Sequence, residues 1–167
     1  MKTTSKILMK LMSITLIFTF LTTIAVAQKS GNDKTDSKTE WVNKKVETKH
    51  YTCEIKTVTP SGGRLKHLSP GYTLTVSGDS LISNLPYFGK AHSSIGVSGS
   101  GYVFTSTSFD YSVEPRKKGG WEIRIKTKDQ QENAEFFLSI LESGSISVNV
   151  NSMSRGSISY SGYINEK

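Results

Sequence analysis

Trp121-Glu122-Ile123-Arg124-Ile125-Lys126-Thr127 decides the fold class. Trp121, Ile123, Ile125 and Thr127 take every second place, and Glu122, Arg124 and Lys126 fill the places between. Successive side chains of an extended chain point to opposite faces, so this is a half-buried strand with a charged outer side. Lys117-Lys118-Gly119-Gly120 just ahead of it is a hairpin turn. Residues 102–107 and 109–114, further upstream, are also strand-like. Downstream, Ala134, Phe136, Leu138 and Ile140 fall on one side of a strand and Phe137 and Leu141 on the other. That pattern predicts a strand covered on both faces, one of them by the helix carrying Trp41. Ile146, Val148 and Val150 alternate again, and Ile158 and Tyr160 begin a last strand that runs to Ile164.

The same period of two extends toward the N-terminus. Tyr72, Leu74 and Val76 alternate, Ser77-Gly78-Asp79-Ser80 turns the chain, and residues 81–85 resume a strand. Leu85-Pro86-Tyr87-Phe88-Gly89 breaks it, because proline has no N–H for the ladder. Tyr51, Cys53 and Ile55 form the first alternating set. Residues 60–70, with two glycines and two prolines, read as a loop, and residues 91–101 as a loop or an edge strand. This makes roughly eight or nine strands joined mostly by short turns. A meander leaves two open edges unless it closes, and closure removes the hazard of free edges. The expected fold is therefore all-β. It is a small antiparallel up-and-down barrel with a short N-terminal helix, favoured over a two-sheet sandwich.

Ser37-Lys38-Thr39-Glu40 fits a capping box, and Trp41, Val42 and Val46 follow on one side of a helix expected over residues 39–49. Residues 28–38 (QKSGNDKTDSK) contain nothing apolar and are expected to form a disordered arm. Residues 1–27 have the layout of a cleavable export signal. Lys2, Lys6 and Lys10 precede an apolar run, and Ala25-Val26-Ala27 supplies the small residues of the exit. A membrane-spanning helix needs about 20 apolar residues, and this run is interrupted by Ser13, Thr15, Thr19, Thr22 and Thr23. A lipid anchor needs a cysteine just after the run, whereas the only cysteine is Cys53. The expected product is a periplasmic or secreted protein cut after Ala27, with no further membrane span. Residues 50–167 would form its barrel domain.

The signal carries three lysines and no acid, so a chain of net charge +7 becomes a mature protein of +4. An excess that small speaks for solubility before it speaks for a partner, and no nucleic-acid partner is expected. One cysteine makes no internal disulfide; Cys53 shares a face with Tyr51 and Ile55 and reads as a buried thiol.

Several short motifs line up along residues 50–164. Gly71-Tyr72-x-Leu74-x-Val76-x-Gly78-Asp79 is followed by Leu85-Pro86-Tyr87-Phe88-Gly89, then Phe104, Tyr111 and Gly120-Trp121-x-Ile123; Arg155 and Ile158-x-Tyr160-x-Gly162 close the set. This set resembles the bacterial exported family catalogued as domain of unknown function 4251. The resemblance implies a single-domain envelope protein with a lipocalin-like antiparallel barrel. It implies no activity, and it supplies no catalytic or binding residues.

Chemistry is sparse. His50, His67 and His92 lie far apart without metal-ligand spacing, so neither a metal nor another cofactor is expected. Ser143-Gly144-Ser145-Ile146-Ser147 lacks the second glycine of a nucleophile elbow. Asp110 and Glu114 share a strand face but stand about 13 Å apart, too far for a carboxylate dyad. No catalytic constellation emerges, and the protein is not expected to be an enzyme. The aromatic block is the better candidate. Tyr87 and Phe88 sit at a break between strands and are placed to rim a barrel mouth, a common ligand site. Tyr72, Tyr87, Phe88, Trp121, Arg155 and Tyr160 are the candidate ligand-binding residues, with Arg155 orienting an anionic group. The alternative is a packed corner whose aromatics plug the barrel, since a barrel of about eight strands can be just filled by side chains. The leading expectation is a small barrel binding an apolar or anionic amphipathic molecule. The second is an envelope interaction module with a filled barrel that docks another envelope protein.

Overall fold

The computed structural model describes residues 29–89, 101–130 and 133–165, with side chains from residue 37 onward. Two compact units divide between Ser37 and Lys38, and the barrel belongs to the second. The elements are α1 (Lys29–Glu47), β1 (His50–Pro60), β2 (Lys66–His67), β3 (Thr73–Ser77), β4 (Ser80–Pro86) and β5 (Gly101–Ser106). β6 (Phe109–Pro115), β7 (Trp121–Thr127), β8 (Ala134–Ile140), β9 (Ser145–Ser152) and β10 (Ile158–Ile164) complete the chain.

Neighbouring strands pair in the order β5-β4-β3-β1-β10-β9-β8-β7-β6, with β2 attached to β1. Every pairing is antiparallel, and the last strand closes on the first through pairs such as Cys53 with Ile164 and Pro60 with Ile158. The result is the expected up-and-down barrel, nearly closed.

The place where it does not close follows from parity. A ring built only of antiparallel pairs needs an even number of strands, and this path has nine. Eight antiparallel steps separate β5 from β6 along the path, so the two run in the same sense. Only Thr107 and Ser108 join them, which makes β5 and β6 two halves of one bent strand. The first half pairs with β4 and ends at Ser106 opposite Leu81, where β4 itself begins. The second half pairs with β7, from Phe109 opposite Thr127. Asp129 holds the bend. Its carboxylate accepts from Ser106 Oγ (2.5 Å), Thr107 N (2.8 Å) and Ser108 N (3.2 Å).

Inward positions alternate with outward ones and build one core, including Ile55, Leu74, Leu85, Ile125, Phe136, Leu138, Ile140 and Tyr160. β1 switches phase midway. Ile55 and Val58 both face inward, with Lys56 and Thr57 between them, and the register to β10 shifts there. A bulge of this kind bends its strand and increases the twist. Gly162 lies across from it, where an added Cβ would fall on the Glu54 carbonyl oxygen.

Val42 and Val46 of α1 are buried in the core, beside Gly144 of the β8–β9 turn. The chain leaves the helix through Lys49, whose φ of 53° is the left-handed conformation that ends many helices.

The structure differs from expectation in three places. The helix begins at Lys29, so it takes up the stretch read as a disordered arm, and Ser37 lies inside it instead of capping it. Once a helix is nucleated, each further residue adds a hydrogen bond, and this extends it through Gly31, Asn32 and Asp33, which favour a helix poorly on their own. β8 is covered on its inner face only; Phe137 and Leu141 are exposed. Within the stretch read as a loop, Lys66 and His67 pair with Val58 and Thr57. Ser83 faces inward between Leu81 and Leu85, as the alternation of β4 requires, and satisfies its hydroxyl by donating to the Tyr102 carbonyl at 2.7 Å. Residues 1–28 and 90–100, which include the stretch read as an export signal and most of the Ser/Gly-rich stretch, lie outside the described residues.

Candidate functional site

Pro86 ends β4 at one mouth of the barrel, and the aromatic block follows it. Gly89 has no side chain, which lets the Tyr87 ring fold back over it; an added Cβ would fall on the Tyr87 hydroxyl. From there Tyr87 donates to the Gly156 carbonyl at 3.1 Å. The Tyr87 ring meets Tyr102 edge-on with centroids 5.9 Å apart, and Tyr102 meets Phe136 at 6.1 Å. Arg155 is only 4% exposed, and its guanidinium lies 5.1 Å over the Tyr87 ring and 5.0 Å over Tyr102. Such stacking holds a buried arginine through the ring quadrupoles. Tyr160, fully buried, donates to the Pro86 carbonyl at 2.7 Å. Burial pushes its phenol well above the ordinary value, with Tyr102 adding to the shift and Arg155 opposing it.

Four of the six sequence-predicted residues therefore converge: Tyr87, Phe88, Arg155 and Tyr160. Arg155 and Tyr160 stand behind Tyr87 as packing. Tyr72 is half-buried next to the Thr73–Asn84 pair, and its carbonyl accepts from Ile55 N at 2.9 Å. It lines none of the cavities described below. Trp121 is removed from the mouth. It pairs with Ile140 at the end of the barrel that carries the β8–β9 turn, because β7 starts there.

Outside Tyr87 lies a pocket of about 490 Å³. The β1–β2 loop, the Tyr87-Phe88-Gly89 segment and Gly156-Ser157 wall it. Phe88 is 44% exposed, with Lys66 Nζ 4.6 Å over its ring. A second depression of about 470 Å³ lies on the outer face of β6 to β9, where Arg124 stacks on Phe137 at 5.5 Å. Neither of these two depressions is lined by Phe136, Ile140 or Tyr160, which pack together in the barrel interior.

The remaining reactive groups are dispersed. His50 Nδ1 lies 2.5 Å from the Thr48 carbonyl, His67 is exposed on β2, and His92 is outside the described residues. Cys53 is buried, and burial pushes its thiol up to about 12. No helix among the described residues is long and apolar enough to cross a membrane. Sequence reasoning missed Arg64 and Lys66 as pocket residues. The available signal was their place in a loop of two glycines and two prolines beside the aromatic block. It missed Asp129 as well, which no motif marks.

A family profile, Domain of unknown function (DUF4251), matches residues 33–164. No curated protein matches the chain. Among solved structures, a DUF4251 family protein from Bacteroides eggerthii DSM 20697 is similar, with a TM-score of 0.59 at 12% identity over 77% of this chain and 87% of that one. Similarity at that identity shows the fold alone.

Proposed function

The chain belongs to the DUF4251 family, and from that premise we propose an exported, non-enzymatic interaction module that recognises its partner on the outside of a filled barrel. The observation that carries this reading is the core. Tyr160, Phe136, Leu74, Leu81, Leu85, Leu138 and Ile140 are fully or almost fully buried together. A barrel of about eight strands has an interior just wide enough for such side chains. This weighs against an apolar molecule held inside the barrel, the reading first favoured by the sequence. Export is supported by Lys2, Lys6 and Lys10, the apolar run and Ala25-Val26-Ala27.

The test begins with the full chain expressed in a bacterial host and recovered from its envelope. N-terminal sequencing is expected to start at Gln28. Solvent extraction and mass spectrometry are expected to yield no apolar molecule at one-to-one ratio. A stoichiometric lipid or fatty acid would overturn the filled-module reading, and an N-terminus at Met1 would overturn export by a cleaved signal.

A further inference from the structure

We infer that the pocket outside Tyr87 is an anion site, which takes a phosphate- or carboxylate-bearing molecule with a short apolar segment. The inference rests on the reading of the barrel as a filled module that binds on its surface, and it names the place and the chemistry. The volume of about 490 Å³ falls in the range of small-molecule sites. Arg64 and Lys66 line it, and no aspartate or glutamate does. Neither cation forms an ion pair among the described residues. Glu54 of β1 lines a different cavity, with Lys38 and Tyr163, and is paired with Lys56 at 2.5 Å.

Both halves of the guest have a counterpart. Lys66 is placed by the short β2 strand, which pairs it with Val58, and Leu68 N is tied to the Lys56 carbonyl at 2.9 Å. Its ammonium lies over the exposed Phe88 ring, so a charge and an apolar face stand side by side. An anion with a short chain can pair with the ammonium and lay the chain on the ring. The frame is built before any guest arrives. Ser61 N donates to the Ser157 carbonyl at 3.0 Å, and Tyr87 is fixed on Gly156. A prebuilt frame reduces the ordering cost of binding.

The test is a nuclear magnetic resonance titration, at low salt, of the protein recovered from the envelope of the expression host. The probes are hexyl phosphate, inorganic phosphate and hexanol. Hexyl phosphate is expected to shift the amides of Gly62, Gly63, Gly89 and Gly156 saturably, and hexanol is expected to bind far more weakly. R64Q and K66Q should each weaken hexyl phosphate by roughly threefold to fivefold, the scale of an exposed ion pair, and added salt should shrink that difference. F88A should weaken hexyl phosphate and leave inorganic phosphate unchanged. Unchanged spectra of the free variants verify that they fold.

A parallel arm uses sedimentation with phosphatidylglycerol or phosphatidylcholine vesicles. Binding to the anionic vesicles that R64Q and K66Q weaken assigns the site to a lipid headgroup. Hexyl phosphate binding without vesicle binding assigns it to a soluble anion. Hexanol binding as tightly as hexyl phosphate, or R64Q and K66Q leaving affinity unchanged, overturns the inference, as does an absence of mouth shifts. Shifts centred on Phe136 and Leu138 mean that the probe enters the barrel, which overturns the filled-module reading itself.

Discussion

Phe136→Ala tests whether the barrel interior is packed solid. Phe136 is fully buried, and its ring meets Tyr102 and Phe104 edge-on, both at centroid separations of 6.1 Å. β7 and β9 flank its strand in continuous register, from Ile125 on one side to Val150 on the other, so the backbone cannot move in to fill a hole. Removing a buried phenylalanine ring costs about 3–5 kcal/mol, part lost transfer energy and part residual cavity. Two edge-on aromatic contacts at about 0.5–1.5 kcal/mol each place this site in the upper half of that range, near about 4 kcal/mol. A domain stable by about 5–15 kcal/mol stays folded after such a loss. The assay is urea unfolding followed by the fluorescence of Trp41 and Trp121. With a slope of about 2 kcal/mol/M, the midpoint should fall by about 2 M without a change of slope. Benzene, which fills apolar cavities of this kind, should raise the variant's midpoint and leave the parent's alone. A loss below about 1 kcal/mol would refute the reasoning, because it would mean the ring already borders empty space.

Three further outcomes follow from single contacts. Tyr160→Phe removes the donor to the Pro86 carbonyl and should cost about 1–2 kcal/mol in the same urea assay, with no change in slope; a neutral result would mean that the hydroxyl does not secure the mouth. Asp129 is held at about 2, below its ordinary 3.8, chiefly by the Ser106 hydroxyl and then by Thr107 N. Its contribution is therefore complete above its unfolded value and fades as pH falls toward 2. Thermal melts across that acid range should show Asp129→Asn less stable than the parent near neutrality, with the gap closing on acidification. A constant gap would contradict the clamp. Cys53, buried with its thiol raised to about 12, should resist iodoacetamide in the native state and react at once in urea; rapid native labelling would place it at the surface.

The strands were legible because burial follows the period of two. Trp121 to Thr127 needed only its own alternation. Phe137 misled because it is apolar at an outward place. Arg124 stacks on it, and that partner is a cross-strand neighbour a sequence does not display. The bend between β5 and β6 was legible as two adjacent strand-like stretches. That they form one broken strand depends on the parity of the ring and on Asp129, more than twenty residues downstream. The bulge in β1 was hidden because Lys56 and Thr57 are ordinary outward residues, and only their being consecutive changes the phase. At the mouth, Tyr87 and Phe88 stood out as aromatics after a proline. Trp121 joined the candidates by residue type alone, and registry carried it to the other end.

The proposed module has a filled barrel and recognises its partner outside it. Crystals of the protein pressurised with xenon provide the test, because xenon occupies apolar voids. No xenon site is expected in the space bounded by Phe136, Leu138 and Tyr160, and one should appear there in Phe136→Ala. Xenon in the parent barrel, or a bound apolar molecule in its place, would contradict it.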